Sequence, residues 1–224
     1  MTPTDTPVSR LLAFLVMGGP AMWAIATLSV LTLALILWKT WRLAAMGAFN
    51  GGGYSACSVA MWESGDRAGA LAQLRPRRSA RARVISTAMA AVLDPRLDRA
   101  AAEATTEQAA RALLNQARQG LRGLELAAAI GPLLGLLGTV TGMIAAFQGL
   151  EAAGVRADTS VLAGGIWEAL LTTAAGMAVA IPAMIAQSWF EGVIENMRHD
   201  MEDGATRVFL GHAAPKATLA QAAE

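Results

Sequence analysis

The sequence predicts an all-α membrane protein with three transmembrane helices and long cytoplasmic helical extensions. Three observations support this. Of the 224 residues, 54% are hydrophobic and only 16% charged, where soluble chains carry about 25% charged residues. Three apolar runs each exceed the about 20 residues that a helix needs to cross a bilayer. Aromatic residues make up 5%, with five Phe and one Tyr, and the abundance of Ala and Leu favours helix over strand.

Residues 1–10 read as a short periplasmic N-terminus. The first span is residues 11–38, LLAFLVMGGPAMWAIATLSVLTLALILW. The Gly18, Gly19, Pro20 break reads as a bend or as the start of the regular helix, because Pro suits a first turn. The run is too long for the apolar centre of a signal peptide, about 7–15 residues. Lys39 and Arg42 follow it directly, which marks an anchor whose C-terminal end lies inside.

The second span is residues 124–150, interrupted only by Glu125 and Gln148 at its ends. The third is residues 161–190, with Glu168 inside it and Gln187 near its end. The short turn 151–160 joins them into an antiparallel helical hairpin. Charge sets the direction. The segment 39–123 is rich in arginine, including Arg75, Arg77, Arg78, Arg81 and Arg83, whereas the second connection holds only Arg156. The basic segment is therefore expected in the cytoplasm, the N-terminus in the periplasm, and residues 191–224 inside as a C-terminal helix and tail.

Within the cytoplasmic segment, SVAMWESGDRAGALAQL reads as two helices joined at Ser64 and Gly65, with Asp66 as N-cap. The patch RPRRSARAR reads as a membrane-proximal face that sets topology or meets anionic headgroups. No aromatic residues interleave it, as a single-strand nucleic-acid binder would want, so no nucleic-acid partner is expected. From about Arg96 the chain can run as one long helix into the second span, with Leu113, Leu114, Ala117, Leu121 and Leu124 at helical spacing. After the third span, Phe190, Ile194, Met197, Met201, Ala205 and Val208 repeat the pattern. The methionines in it read as core.

Several chemistries lack their motifs. There is no phosphate-binding G-x-x-x-x-G-K-[ST] loop, no zinc-spaced Cys/His set and no nucleophile elbow. Cys57 is the one cysteine, so no internal disulfide framework forms. His199 and His212 read as surface residues. The expectation is a protein that is not an enzyme and has no metal or cofactor.

The informative residues are in the second and third spans. Gly131, Gly135, Gly138 and Gly142 recur at steps of four, three and four. They strip one helical face so that another helix can come close. Gly165, Ala169, Thr172, Gly176, Ala180 and Ala183 do the same on the third span. Packing alone accounts for the glycines but not for Glu168, Thr139, Thr172 and Thr173. A charge at mid-bilayer costs at least about 2.5–3.5 kcal/mol, so an acid there marks a functional position. At 1.5 Å rise per residue, Glu168 lies about 10 Å from the outer start of its span, Thr139 about 15 Å and Thr173 about 18 Å. The three share one layer, as a short polar ladder would. By angle, Thr172 lies near the Glu168 face, while Thr173 is turned by about 140° toward another helix or subunit.

The stretches GPLLGLLGTVTGMIAAF (131–147) and EALLTTAAGMAVAIPA (168–183) resemble the two signature spans of the MotA/TolQ/ExbB proton-channel family. The similarity is closest to the ExbB and TolQ branch. The MotA branch lacks this glutamate and has four spans. The motif GGPAMW (18–23) also resembles a subset of ExbB-like proteins. By this resemblance Glu168 matches the family's membrane glutamate, Thr139 the threonine of its G-T-V motif, Thr173 the threonine five after the glutamate, and Pro182 the later proline. Thr172 stands where relatives often have a small apolar residue and is a secondary position.

The resemblance implies a homo-oligomer, typically a pentamer, around the transmembrane helices of a single-span partner of the ExbD or TolR type. It implies residence in the bacterial inner membrane. The function implied is use of the proton-motive force for work at the outer membrane through a TonB-like or TolA-like protein. The first reading is ExbB-like energising of TonB-dependent transport, and the alternative is a TolQ-like role in envelope maintenance. Two readings of other classes stand beside them: a structural membrane scaffold without proton conduction, and a small-solute permease. A permease often shows internal repeats or helices broken at mid-membrane, and the sequence shows neither.

Overall fold

A computed structural model describes residue 15 and residues 18–49, 52–76, 79–153 and 159–213. The expected N-terminus at 1–10, residues 154–158 of the expected turn at 151–160 and the tail from 214 lie outside the described residues. Seven long helices are described: α1 (Gly19–Ala45), α2 (Gly53–Glu63), α3 (Arg67–Leu74), α4 (Ala80–Leu93), α5 (Arg99–Arg118), α6 (Leu121–Ala153) and α7 (Thr159–Ala213). No strand occurs among the described residues. Stretches of α1, of α6 and of α7 are long and apolar enough to cross a membrane. The fold is therefore all-α, with three membrane-crossing candidates.

The chain forms two units, residues 1–38 with 120–189, and residues 39–119 with 190–224. In the first, α1 begins with Gly19 in the left-handed region (φ 61) and Pro20 in its first turn, where the missing N–H of Pro is harmless. Its inward face carries Met22, Ile25 and Thr32. The Thr32 hydroxyl donates to its own helix at the Leu28 carbonyl, 2.7 Å away. The rest of α1 exposes Val30, Leu31, Leu33 and Leu37, a surface suited to lipid.

The second unit has a core of large apolar side chains. Val59 and Trp62 of α2, Ala70 and Leu74 of α3, Ile85 and Met89 of α4 and Val208 of α7 share one buried cluster. The Trp62 indole N–H donates to the Val208 carbonyl at 3.0 Å, which satisfies its one polar atom. The two helices expected around Ser64 and Gly65 are α2 and α3. Gly65 has φ 96, and the Asp66 carboxylate accepts from the Gly69 N–H at 2.9 Å, the N-cap bond that frees a first-turn amide from needing water. Ser79 and Asp98 cap α4 and α5 in the same way. The stripe on α7 is core: Phe190, Ile194, Met197, Met201 and Val208 are all at most 2% exposed.

One expectation needs correction. The chain from Arg96 onward is not one continuous helix. Gln119 turns to φ −55 and ψ 135, and Gly120 adopts φ 86, so α5 ends at Arg118. Gly120 is a local stop, free to take a left-handed turn just past the helix, and another segment meets the end it leaves. The Lys39 side chain, 1% exposed, donates to the carbonyls of Ala117 and Gln119, the latter at 2.6 Å. The Arg42 guanidinium donates to the Gln119 side chain at 2.6 Å. Carbonyls that would have bonded the next helical turn are met by an ammonium, and a cation suits the negative end of α5.

Candidate functional site

The site is the pair α6 and α7 in the first unit. The two helices run antiparallel and touch backbone to backbone. A Cβ added at Gly131 would lie 2.8 Å from the Gly176 carbonyl oxygen, and one at Gly135 would lie 2.8 Å from Thr173 Cα. A Cβ at Gly138 would overlap the Thr172 side chain, and one at Gly142 would press on Ala169 Cβ at 3.2 Å. From the other side, a Cβ at Gly176 would overlap the Gly131 carbonyl oxygen. In lipid, apolar side chains gain little by leaving one apolar medium for another. Close backbone approach with its dispersion contacts holds such a pair instead.

Thr172 and Thr173 both turn their hydroxyls to this seam. Thr172, 2% exposed, donates toward Ala169 O at 2.7 Å and Gly135 O at 3.2 Å. Thr173 donates to the same Gly135 carbonyl at 3.1 Å. Thr173 thus meets the neighbouring helix of its own chain. Thr172 is drawn into the helix seam, not toward Glu168. Thr139 bonds its own helix, donating to Leu136 O at 2.7 Å. Sequence reasoning did not single out the Gly135 carbonyl, where two hydroxyls converge. Side-chain patterns carry no signal for a backbone acceptor.

Glu168 is half-buried. Its carboxyl group makes no hydrogen bond or ion pair with any described residue, in contrast to every threonine around it. It sits on α7 beside Ala169, which packs against Gly142, so the packed seam runs next to the acid. The exposed neighbours on its helix are Ile166, Trp167 and Leu170. The structure therefore brings Thr172 and Thr173 together at Gly135 and leaves Glu168 and Thr139 outside that hydrogen-bonded group. Pro182 is exposed and lies within the continuous run of α7. Among the described residues, no group of His, Cys, Asp or Glu side chains is arranged to hold a metal ion.

Known proteins resemble this chain in sequence. The chain is similar to the biopolymer transport protein exbB1 of Vibrio cholerae, 40% identical over 91 residues, covering 39% of this chain and 40% of that one. It is 34% identical over 114 residues to the biopolymer transport protein ExbB of Xanthomonas campestris pv. campestris, covering 48% and 43%. With ExbB of Salmonella typhimurium it shares 40% identity over 82 residues, covering 37% and 33%. In each case the matched stretch spans less than half of the relative's length. The profile of the MotA/TolQ/ExbB proton channel family matches residues 77–203, more than half of the chain. That stretch includes both glycine-packed spans and Glu168, and the chain belongs to the MotA/TolQ/ExbB proton channel family.

Proposed function

We propose that the chain is the ExbB-like proton-channel subunit of a bacterial inner-membrane motor that energises TonB-dependent transport across the outer membrane. The observation that carries this reading is Glu168: a carboxyl group on an apolar helix, without a hydrogen bond or ion pair among the described residues, in a chain of a proton channel family. A carboxyl group in that setting can take up and release a proton. Each charge moved across 100 mV of membrane potential is worth about 2.3 kcal/mol, enough to bias its loading and release.

The proposed path runs by Glu168, Thr139 and Thr173, whose hydroxyls can hold water or pass a proton, with Thr172 in a secondary role. A path needs a second polar wall, and no other acid lies deep in any of the three spans. A single-span partner of the ExbD or TolR type would supply a carboxylate opposite Glu168. The proposed assembly is a homo-oligomer, a pentamer by family resemblance, around that partner and acting on a TonB-like protein. The proposed topology has residues 1–10 and 151–160 in the periplasm, spans at 11–38, 124–150 and 161–190, and residues 39–123 and 191–224 in the cytoplasm. Names of the ExbB type among the relatives favour the biopolymer-transport reading over the TolQ-like one.

The test is Glu168→Gln, which keeps size and hydrogen bonding but cannot ionise. With the partner co-expressed, the expected result is a complex that assembles normally and loses energised uptake. Uptake at the parent level with an assembled complex would make Glu168 structural and overturn the reading.

A further inference from the structure

The Gly135 carbonyl oxygen has more donors around it than it can hold. A backbone carbonyl offers two lone pairs. Gly135 lies inside the continuous run of α6, so the Thr139 N–H of the same helix takes one of them. Thr172 and Thr173, neighbours on α7, bring their hydroxyls to within 3.2 and 3.1 Å of the same oxygen. One lone pair is left for two hydroxyls, and each hydroxyl has a single proton to donate.

The two hydroxyls are not equivalent. Thr172 has a second acceptor, the Ala169 carbonyl of its own helix at 2.7 Å. Thr173 donates to Gly135 alone among the described residues. Thr172 is 2% exposed and wedged over Gly138, where an added Cβ would overlap it, so its side chain stays in place whichever carbonyl it serves. Thr173 is only partly buried and has open surface to turn toward.

This difference bears on proton movement. A hydroxyl that gives its hydrogen to a carbonyl has committed it, and the carbonyl has no proton to hand on. Thr173 must leave Gly135 before it can hold water or pass a proton. Thr172 is placed to take over, because its O–H can swing from Ala169 O to Gly135 O without the side chain moving. Ala169 O then keeps the helical bond from the Thr173 N–H, so the swap leaves no buried carbonyl bare.

We propose that Thr172 is a positioning residue of the proton path: it exchanges with Thr173 on the Gly135 carbonyl and so frees the Thr173 hydroxyl. The inference rests on the reading that the path runs by Thr173. A residue without a hydroxyl at 172 leaves Gly135 to Thr173 alone and holds Thr173 back.

The first test reads the Gly135 carbonyl carbon by NMR in the full chain in lipid. Valine keeps the shape of threonine and removes the donor. In Thr173→Val the shift is expected to stay near the parent's, because Thr172 takes over, and in Thr172→Val because Thr173 remains. Only the double variant is expected to move it clearly. A Thr173→Val shift as large as the double variant's, or no shift in the double variant, overturns the exchange. The second test reads proton entry into vesicles that hold the chain with its co-expressed single-span partner. Thr172→Val is expected to slow entry about two- to tenfold, the range that the net strength of one hydrogen bond allows, and Thr172→Ser to restore it. Entry at the parent rate in Thr172→Val, or a serine variant as slow as the valine one, overturns the role. Glu168→Gln separates the two levels. If it stops proton entry while Thr172→Val runs at the parent rate, the exchange alone is wrong. If it leaves entry at the parent rate, the channel reading beneath is wrong as well.

Discussion

Helix α7 packs in two different ways along its length. Around Gly176 it meets α6 with almost no side chain between the backbones, so that a single added methyl would overlap the Gly131 carbonyl. From Phe190 to Val208 it buries large side chains, each at most 2% exposed, and Val208 joins the α2–α4 cluster around Trp62. Under the proposed topology, with the α6–α7 seam in the bilayer and the end of α7 in the cytoplasm, the solvent accounts for the difference. In water, apolar surface is driven together at about 25 cal/mol per Å², and bulky side chains maximise it. In lipid that drive is absent, and close approach of small residues takes its place. Polar satisfaction follows the same division. The membrane pair bonds its threonines to backbone carbonyls, whereas the second unit also uses charged pairs such as Arg81 with Asp200 at 2.7 Å.

The largest expected effect breaks the second unit. Trp62→Ala empties a site that is 1% exposed and removes the donor to Val208. The expected loss is about 3–5 kcal/mol of stability, measured by thermal unfolding of the detergent-solubilised chain. A loss under about 1 kcal/mol would mean that this cluster is not the core of its unit.

A pair of glycine substitutions sharpens the comparison. Gly135→Ala drives a methyl against Thr173 Cα and the Thr172 carbonyl, at 2.8 and 3.0 Å, where backbone cannot give way. Gly204→Ala in the second unit meets Ile85 Cδ1 at 2.7 Å, the end of a side chain that can turn aside. The first should cost about 1–3 kcal/mol as overpacking, and the second clearly less, by the same unfolding measurement. Equal losses would show that the membrane seam is no tighter than the aqueous core.

The smallest effect is electrostatic. The Arg207 guanidinium donates to Glu63 at 2.8 and 2.7 Å and, by that hydrogen bond first, holds the Glu63 carboxyl below its ordinary value. A depressed carboxyl adds stability above its unfolded value, about 4.3, and loses it as the pH falls through the folded one. Both side chains are more than a third exposed, so the pair is worth about 0.2–1 kcal/mol and weakens with salt. Glu63→Gln should therefore melt slightly lower than the parent near pH 7, with the gap closing as the solution is acidified. A gap that widens in acid would reverse the sign.

Much of this was legible in the sequence because it is local. Apolar runs of membrane length, the heptad-like stripe from Phe190 to Val208, the Asp66 cap and the glycines at steps of four, three and four are all periodicities or neighbour effects. Glu168 stood out for the same reason: an acid in an apolar run needs no fold to be noticed. The facing of the threonines was less legible. An angular wheel places Thr172 near Glu168, but the α6–α7 seam captures it, because a buried hydroxyl goes where an acceptor is within reach, and that acceptor is the Gly135 carbonyl on another helix.

By itself the sequence determined the helical class, the three apolar runs and the lone acid of the third, since composition and spacing act within a few turns. Only the tertiary structure decided which side chains meet the end of α5, which helix takes Thr173 and which polar groups converge on Gly135. Each of these depends on a partner far along the chain. Lys39 meets the end of α5 from 78 residues away, and Thr173 finds Gly135 across 38. No local pattern encodes a hydrogen bond whose acceptor is a backbone carbonyl brought near by packing.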